Sequence, residues 1–216
     1  MIPFTHRAVT ALALVLATMP LSGCLSIFPD RAAPDGLYRV TPDTRLDGLA
    51  ADLAVREPEA ARILSGREMA SLSGDGALRI VGGVEWADRS TLLLQTALLD
   101  VLSGTGAGTA FDAGAAARGA YELSWRISDL YVEGGTAVCR LDLLLLDGET
   151  RAPLARERID TRTVVANANT RRRALALSDA AADCVTDAGR ALIYLIDQDR
   201  ERATDDGGKT ANGPTG

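Results

Sequence analysis

Three cysteines, a single histidine and a few closely spaced carboxylates are the groups in this chain that could carry covalent, metal or acid–base chemistry. The thiols are Cys24, Cys139 and Cys184, with no Cys-x-x-Cys spacing, so a redox-active pair is not expected. Cys139 alternates with Leu141, Leu143 and Leu145 on the apolar face of a strand. Cys184 shares a helical stripe with Leu177, Ala181, Ala188 and Leu195. Both face the same core, where they can form a strand-to-helix disulfide in an oxidising compartment or remain two buried free thiols. The histidine, His6, lies in an apolar leader. Once the leader is lost, no imidazole remains for a dyad, a triad or a zinc site. Asp179, Asp183 and Asp187 recur every four residues, a spacing open to an acid–base pair or a metal, but equally that of a solvated helix face. Gly104-Thr105-Gly106-Ala107-Gly108 resembles a phosphate loop in composition only. It follows a helix and lacks the closing Lys and Ser/Thr, so it reads as a flexible helix-to-strand turn. These groups predict a protein that is not an enzyme, with no metal and no cofactor.

Cys24 has a different setting. Before it come His6-Arg7, an apolar run from Ala8 to Met19, and then Leu21-Ser22-Gly23. About a dozen apolar residues are too few to span a bilayer and have the length of a signal-peptide core. Leu-Ser-Gly-Cys resembles the lipobox of bacterial lipoproteins, which implies cleavage before Cys24 and lipidation of its sulfur. The diacylglyceryl and N-acyl chains of such lipoproteins supply the more than one chain that stable anchoring needs. Residues 1–23 are thus expected to be a lipoprotein signal peptide, 24–36 a lipidated tether with two prolines, 37–200 the domain, and 201–216 a disordered tail.

Arg7 is the one Lys or Arg of the leader, so its loss moves the net charge from −6 to −7. With no dominant basic patch, neither nucleic acid nor direct electrostatic binding to anionic lipid is expected.

The elements that position these groups follow from periodicity. Short strands are predicted at residues 37–40 and 53–55, and another at 76–84; residues 61–75 show no clear pattern. A helix is predicted over 90–103, with Asp88 or Ser90 as its cap. Leu93, Leu94, Ala97, Leu98, Val101 and Leu102 form its buried face. Leu92 and Leu99 fall on the opposite face, either covered by another segment or exposed as a strip that meets a partner. Tyr121, Leu123, Trp125 and Ile127 alternate with polar residues, Gly134-Gly135 turns a hairpin into 136–146, and Asp147-Gly148 leads to a third strand over 153–164. Arg156, Arg158, Asp160 and Arg162 charge one face of that strand and suit an edge. An alanine-rich helix over 170–199 closes the domain.

The stretch Val84-Glu85-Trp86-Ala87-Asp88-Arg89, followed by Leu92-Leu93-Leu94-Gln95, is similar to the Trp-Ala-Asp segment of the ABC-type transport auxiliary lipoproteins, the paraquat-inducible protein C-like components of MCE transport systems. The order of elements matches as well: lipobox, Tyr38-x-Val40 strand, Trp-Ala-Asp helix, Tyr121-x-Leu123 strand, a hairpin ending Leu145-Leu146-Asp147-Gly148, and an alanine-rich helix. The resemblance covers about residues 37–199. It implies a non-catalytic lipoprotein that joins the MCE-domain protein of an ABC transporter to a membrane, in a system moving lipids or other hydrophobic molecules across the envelope. It also implies that the chain can form a homo-oligomer. Leu25 after the lipidated cysteine leans toward the periplasmic face of the outer membrane over the inner one. The alternative is a stand-alone lipid-binding envelope lipoprotein.

The expected fold is α+β (mixed α/β), a largely antiparallel sheet with two main helices packed on one face. Trp86 and Asp88 are the expected structural junction of strand and helix, Leu92 and Leu99 the expected partner interface, and Cys24 the lipidation site.

Overall fold

The computed structural model describes residues 33–115, 117–165 and 169–210, with side chains of the last helix described to Asp205. The leader, Cys24, the tether up to residue 32 and residues 211–216 lie outside the described residues. In chain order the described residues form β1 (Gly36–Tyr38), β2 (Leu53–Val55), β3 (Glu59–Ala60), the one-turn helix α1 (Arg62–Ser65), β4 (Glu68–Leu72) and β5 (Leu78–Trp86). There follow α2 (Ser90–Val101), β6 (Ala110–Asp112), β7 (Tyr121–Glu133), β8 (Thr136–Asp147), β9 (Pro153–Val164) and α3 (Thr170–Thr210).

β7 organises the sheet. Tyr121, Leu123, Trp125 and Ile127 point inward, and strict alternation would then turn Asp129 and Tyr131 toward the core. A bulge between Ile127 and Asp129 shifts the phase by one residue, so that Leu130 and Val132 are buried instead. One edge of β7 pairs antiparallel with β8 over its whole length, and β8 pairs antiparallel with β9. The other edge takes β2, β3 and β4 in turn, at Tyr121–Leu123, Arg126–Ile127 and Tyr131–Glu133, all parallel. β6 adds to β2 in parallel, β5 to β4 antiparallel, and β1 to β5 in parallel.

The expected antiparallel sheet is therefore correct for the β7–β8–β9 meander and wrong for the N-terminal half, where the sheet is mixed. Residues 53–72 run beside β7 as one interrupted path, advancing in the same direction as β7. Pro58 breaks it, since proline has no N–H for the ladder, and α1 loops out of it. This is why residues 61–75 carry no clean alternation: each contact with β7 is only two to three residues long.

The two long helices also differ from the expected pair. α3 lies along β8 and β9, while α2 packs on α3 and on β6, with α1 near its start. α2 thus rests on a helix and a short strand instead of lying beside α3 on the open sheet. Ala174, Leu177, Ala181, Cys184, Val185, Ala188, Leu192 and Ile196 form the buried stripe of α3 and join Leu94, Leu98, Leu123, Ile127, Leu141 and Leu145 in one core. Asn169 caps α3, its side-chain oxygen accepting the Arg172 N–H at 2.9 Å. The helix continues to Thr210, ten residues beyond the expected start of the tail. Arg200-Glu201-Arg202-Ala203 is a run of good helix formers, and no glycine intervenes before Gly207. From Ala33 on, the described residues form one compact unit whose buried apolar core runs from Val40 to Ile196.

Candidate functional site

The strand-to-helix junction is built around Trp86, the last residue of β5 and only 1% exposed. Its N–H donates to Arg67 O at 2.7 Å, and the next residue, Ala87, donates to Tyr38 O at 2.6 Å. The Arg67 guanidinium donates to Trp86 O at 3.3 Å. Four residues ahead of α2, the backbone at the junction is thus pinned to β1 and to the residue before β4.

The helix cap differs from expectation. Neither Asp88 nor Ser90 caps α2; Arg89 occupies the cap position without a side-chain bond. The Asp88 carboxylate accepts only the neighbouring Arg89 N–H, at 2.7 Å. Ser90 is fully buried and its hydroxyl donates to Leu64 O, while its N–H donates to Gly66 O at 2.9 Å. The orphan N–H that a cap would satisfy is thus taken by the backbone after α1, which the sequence pattern did not reveal. Glu57 supplies the negative charge that favours a helix N-terminus, accepting from the Thr91 hydroxyl and pairing with Arg89 at 3.0 Å.

Gln95, which the sequence offers only as the end of the Trp-Ala-Asp segment, is a structural tie. It is buried, and its amide donates to Val55 O at 3.0 Å and to Asp112 Oδ1 at 3.1 Å. One side chain therefore fastens α2 to β2 and β6, the two short strands at that end of the sheet. Its signal in the sequence was a glutamine inside an otherwise apolar helix face. Leu92 and Leu99 are both half-buried; Leu99 packs against the core cluster.

Gly104, Gly106 and Gly108 are not a flexible turn. Leu46 N–H bonds to Val101 O at 2.7 Å, Gly48 N–H to Thr105 O at 2.7 Å, and Gly108 N–H to Leu49 O at 2.8 Å. Asp47 accepts from the Thr105 hydroxyl at 2.8 Å and from its N–H at 2.6 Å, which holds the Asp47 carboxyl below the usual carboxylate range. The loop is laid backbone to backbone on residues 46–52.

Cys139 of β8 and Cys184 of α3 are neighbours in the core, both buried free thiols in hydrogen-bonding contact. Burial pushes the Cys139 thiol well up, with the Cys184 thiol adding to the shift, so Cys139 is not set up as a nucleophile. Asp179, Asp183 and Asp187 are exposed on α3. Burial, together with the charges of Asp187, Asp179 and Asp43, raises the Asp183 carboxyl.

The outer face of the meander is charged, as the β9 pattern predicted, and β9 is an edge strand. Arg140 bridges Asp129 on β7 and Asp160 on β9, and Asp142 is held below its ordinary range by the Ser128 hydroxyl and by Arg158. A cleft of about 610 Å³ on this face is lined by Arg126, Asp142, Leu143, Arg156, Glu157 and Arg158.

Tyr121 opens β7, and its hydroxyl donates to Asp199 Oδ2 on α3 at 3.0 Å. Burial first, then the Asp199 bond and charge, push the phenol from 10.0 up to about 12. A folded value above the unfolded one means that the stabilisation is complete below pH 10.0 and is lost as pH rises toward 12. Tyr121→Phe should therefore lower the urea midpoint at pH 9, and the gap to the parent should narrow by pH 12; an unchanged gap would exclude this bond as its source.

The family model of the ABC-type transport auxiliary lipoprotein component matches residues 37–188. The chain belongs to that family. The matched stretch contains the Trp86 junction, Gln95, the glycine loop, the meander and the cysteine pair. None of the curated proteins matches the chain in sequence. Among solved structures, the DUF330 protein XCC0632 from Xanthomonas campestris is similar, with 21% identity and a TM-score of 0.65 over 76% of this chain and 96% of that one. An uncharacterised protein is similar at 14% identity and a TM-score of 0.56, over 74% of this chain and 99% of that one. Both likenesses are of fold.

Proposed function

We propose that this auxiliary lipoprotein is a non-catalytic adaptor, anchored through lipidated Cys24 at the periplasmic face of the outer membrane. There it holds the MCE-domain protein of an ABC transporter that moves lipids or other hydrophobic molecules across the envelope. Family membership over residues 37–188 carries the reading. The interior adds support: α3 and the sheet are filled against each other by leucine, alanine and the two thiols. The 610 Å³ cleft is rimmed with arginines and carboxylates and does not suit an acyl chain, which favours an adaptor over a carrier. Leu92, half-buried on α2, is the proposed apolar contact with the partner, with Leu99 two turns along.

Crosslinking in membranes followed by detergent pull-down tests the partner, and recovery of an MCE-domain protein is the expected result. Cys24→Ser should leave a folded domain that is released from the membrane and no longer supports transport. Transport undiminished by a fully released domain would end the anchoring idea.

A further inference from the structure

The described chain begins at Ala33, nine residues after Cys24, and enters the sheet at Gly36. At this end of the molecule Leu37 is 55% exposed and Leu175 on α3 is 45% exposed. Both line a groove of about 370 Å³ together with Tyr38, Val84, Thr170 and Arg171, and Asp35 is the one carboxylate among its lining residues. Arg171 lines it, Arg172 and Arg173 follow on α3 and Arg39 follows Tyr38 of β1; all four are exposed and without an ion pair among the described residues. Arg39 is brought to α3 by the Ser178 hydroxyl, which donates to its carbonyl. Elsewhere the surface arginines are mostly tied to carboxylates, as at Arg56, Arg126, Arg140, Arg158 and Arg190.

We infer that this surface, with Arg39 and Arg171–Arg173 around exposed Leu37 and Leu175, seats on the headgroups of an anionic phospholipid bilayer. Two observations choose the occupant. The charges are complementary: Arg171 lines the groove beside Leu37 and Leu175, whose exposed apolar side chains can enter the interface, and Arg39, Arg172 and Arg173 adjoin its lining residues in the chain, none of the four in an ion pair among the described residues. The chain leading to the groove is also short. The twelve residues from Cys24 to Asp35, fully extended, span at most about 40 Å, so a lipid anchor at Cys24 holds the start of the domain within that distance of the bilayer. The net charge of −7 without the leader does not oppose this, because charges beyond about 10 Å are screened at physiological salt. The run Arg171-Arg172-Arg173 is visible in the sequence, but the approach of Arg39 is not, since it lies more than 130 residues before Ser178, the residue that holds it to α3.

The inference rests on the anchored-adaptor reading only for the orientation of the domain, and its test leaves the anchor out. The chain from residue 24 onward, carrying Cys24→Ser, is mixed with phosphatidylcholine vesicles with or without phosphatidylglycerol and sedimented. Binding is expected to the phosphatidylglycerol vesicles alone and to fall as salt is raised. Arg171→Ala/Arg172→Ala/Arg173→Ala should weaken it about a hundredfold, at about fivefold per arginine. Leu37→Ala/Leu175→Ala should weaken it while leaving the salt dependence. All five substituted side chains are exposed, and an unchanged circular dichroism melt confirms the fold of each variant. Equal binding to both vesicles, or a triple variant that binds like its parent, overturns the proposal. So does concentration-dependent self-association abolished by the leucine changes in the absence of vesicle binding, which would give the groove to a second copy. A failed vesicle test with a positive MCE pull-down removes this surface and spares the adaptor.

Discussion

Trp86→Ala is expected to cost about 3–5 kcal/mol of unfolding free energy, a large share of the roughly 5–15 kcal/mol that holds a domain of this kind. The side chain is among the largest that are fully buried, and it stands where a strand becomes a helix. Removing it empties a volume inside the core cluster. The backbone there is pinned by the Trp86 and Ala87 N–H bonds to Arg67 and Tyr38, so the walls cannot close on the void. Urea unfolding followed by circular dichroism measures the loss, and Trp86→Phe should recover part of it by restoring ring volume. A loss below about 1 kcal/mol would mean that the site collapses freely and that Trp86 does not organise the junction. The effect reaches further through position: Tyr38 of β1 pairs with Trp86 and Leu37 with Glu85, so a loosened junction also loosens the edge that carries Leu37.

What could be read from the sequence follows from how local each cause is. The β7–β8–β9 meander was legible because Tyr121 to Ile127 and Cys139 to Leu145 alternate over long runs, and glycine pairs mark the hairpin. The stripe of α3 was legible for the same reason, at helical period. The parallel attachment of residues 53–72 to β7 was not, because it is made of contacts of two or three residues with no period long enough to detect. The capping assignment at Asp88 and Ser90 was reasonable chemistry, but Gly66 O, far along the chain, took the N–H first. Gln95 and the Arg39–Arg171 grouping share that cause: their partners are set by tertiary approach. The resemblance of the Trp-Ala-Asp segment survived because it is local in sequence and fixed in structure at one junction.

The glycine loop gives the second large effect, and here the sign itself discriminates. A Cβ on Gly108 would lie 2.1 Å from Ala51 C, and one on Gly106 would lie 2.5 Å from Leu49 O. Both obstacles are backbone, which cannot swing aside as a side-chain tip can. Gly108→Ala is therefore expected to destabilise by about 1–3 kcal/mol or more, by pushing residues 46–52 off the loop and breaking the Gly108–Leu49 bond. Were the loop a flexible turn, the same substitution would stabilise by about 0.4–1 kcal/mol, through a less entropic unfolded chain. Thermal melts of Gly106→Ala, Gly108→Ala and the double variant separate the two cases. Because both residues press on one segment, the double variant should lose less than the sum of the singles. The alternating glycines thus read as the condition for two backbones to lie in contact. Since Leu46 N–H also binds Val101 O at the end of α2, the same contact ties that helix to the 46–52 segment that leads into β2. Displacing it should therefore also strain the Gln95 bond to Val55, and amide exchange in β2 should quicken in the Gly108 variant before the meander is touched.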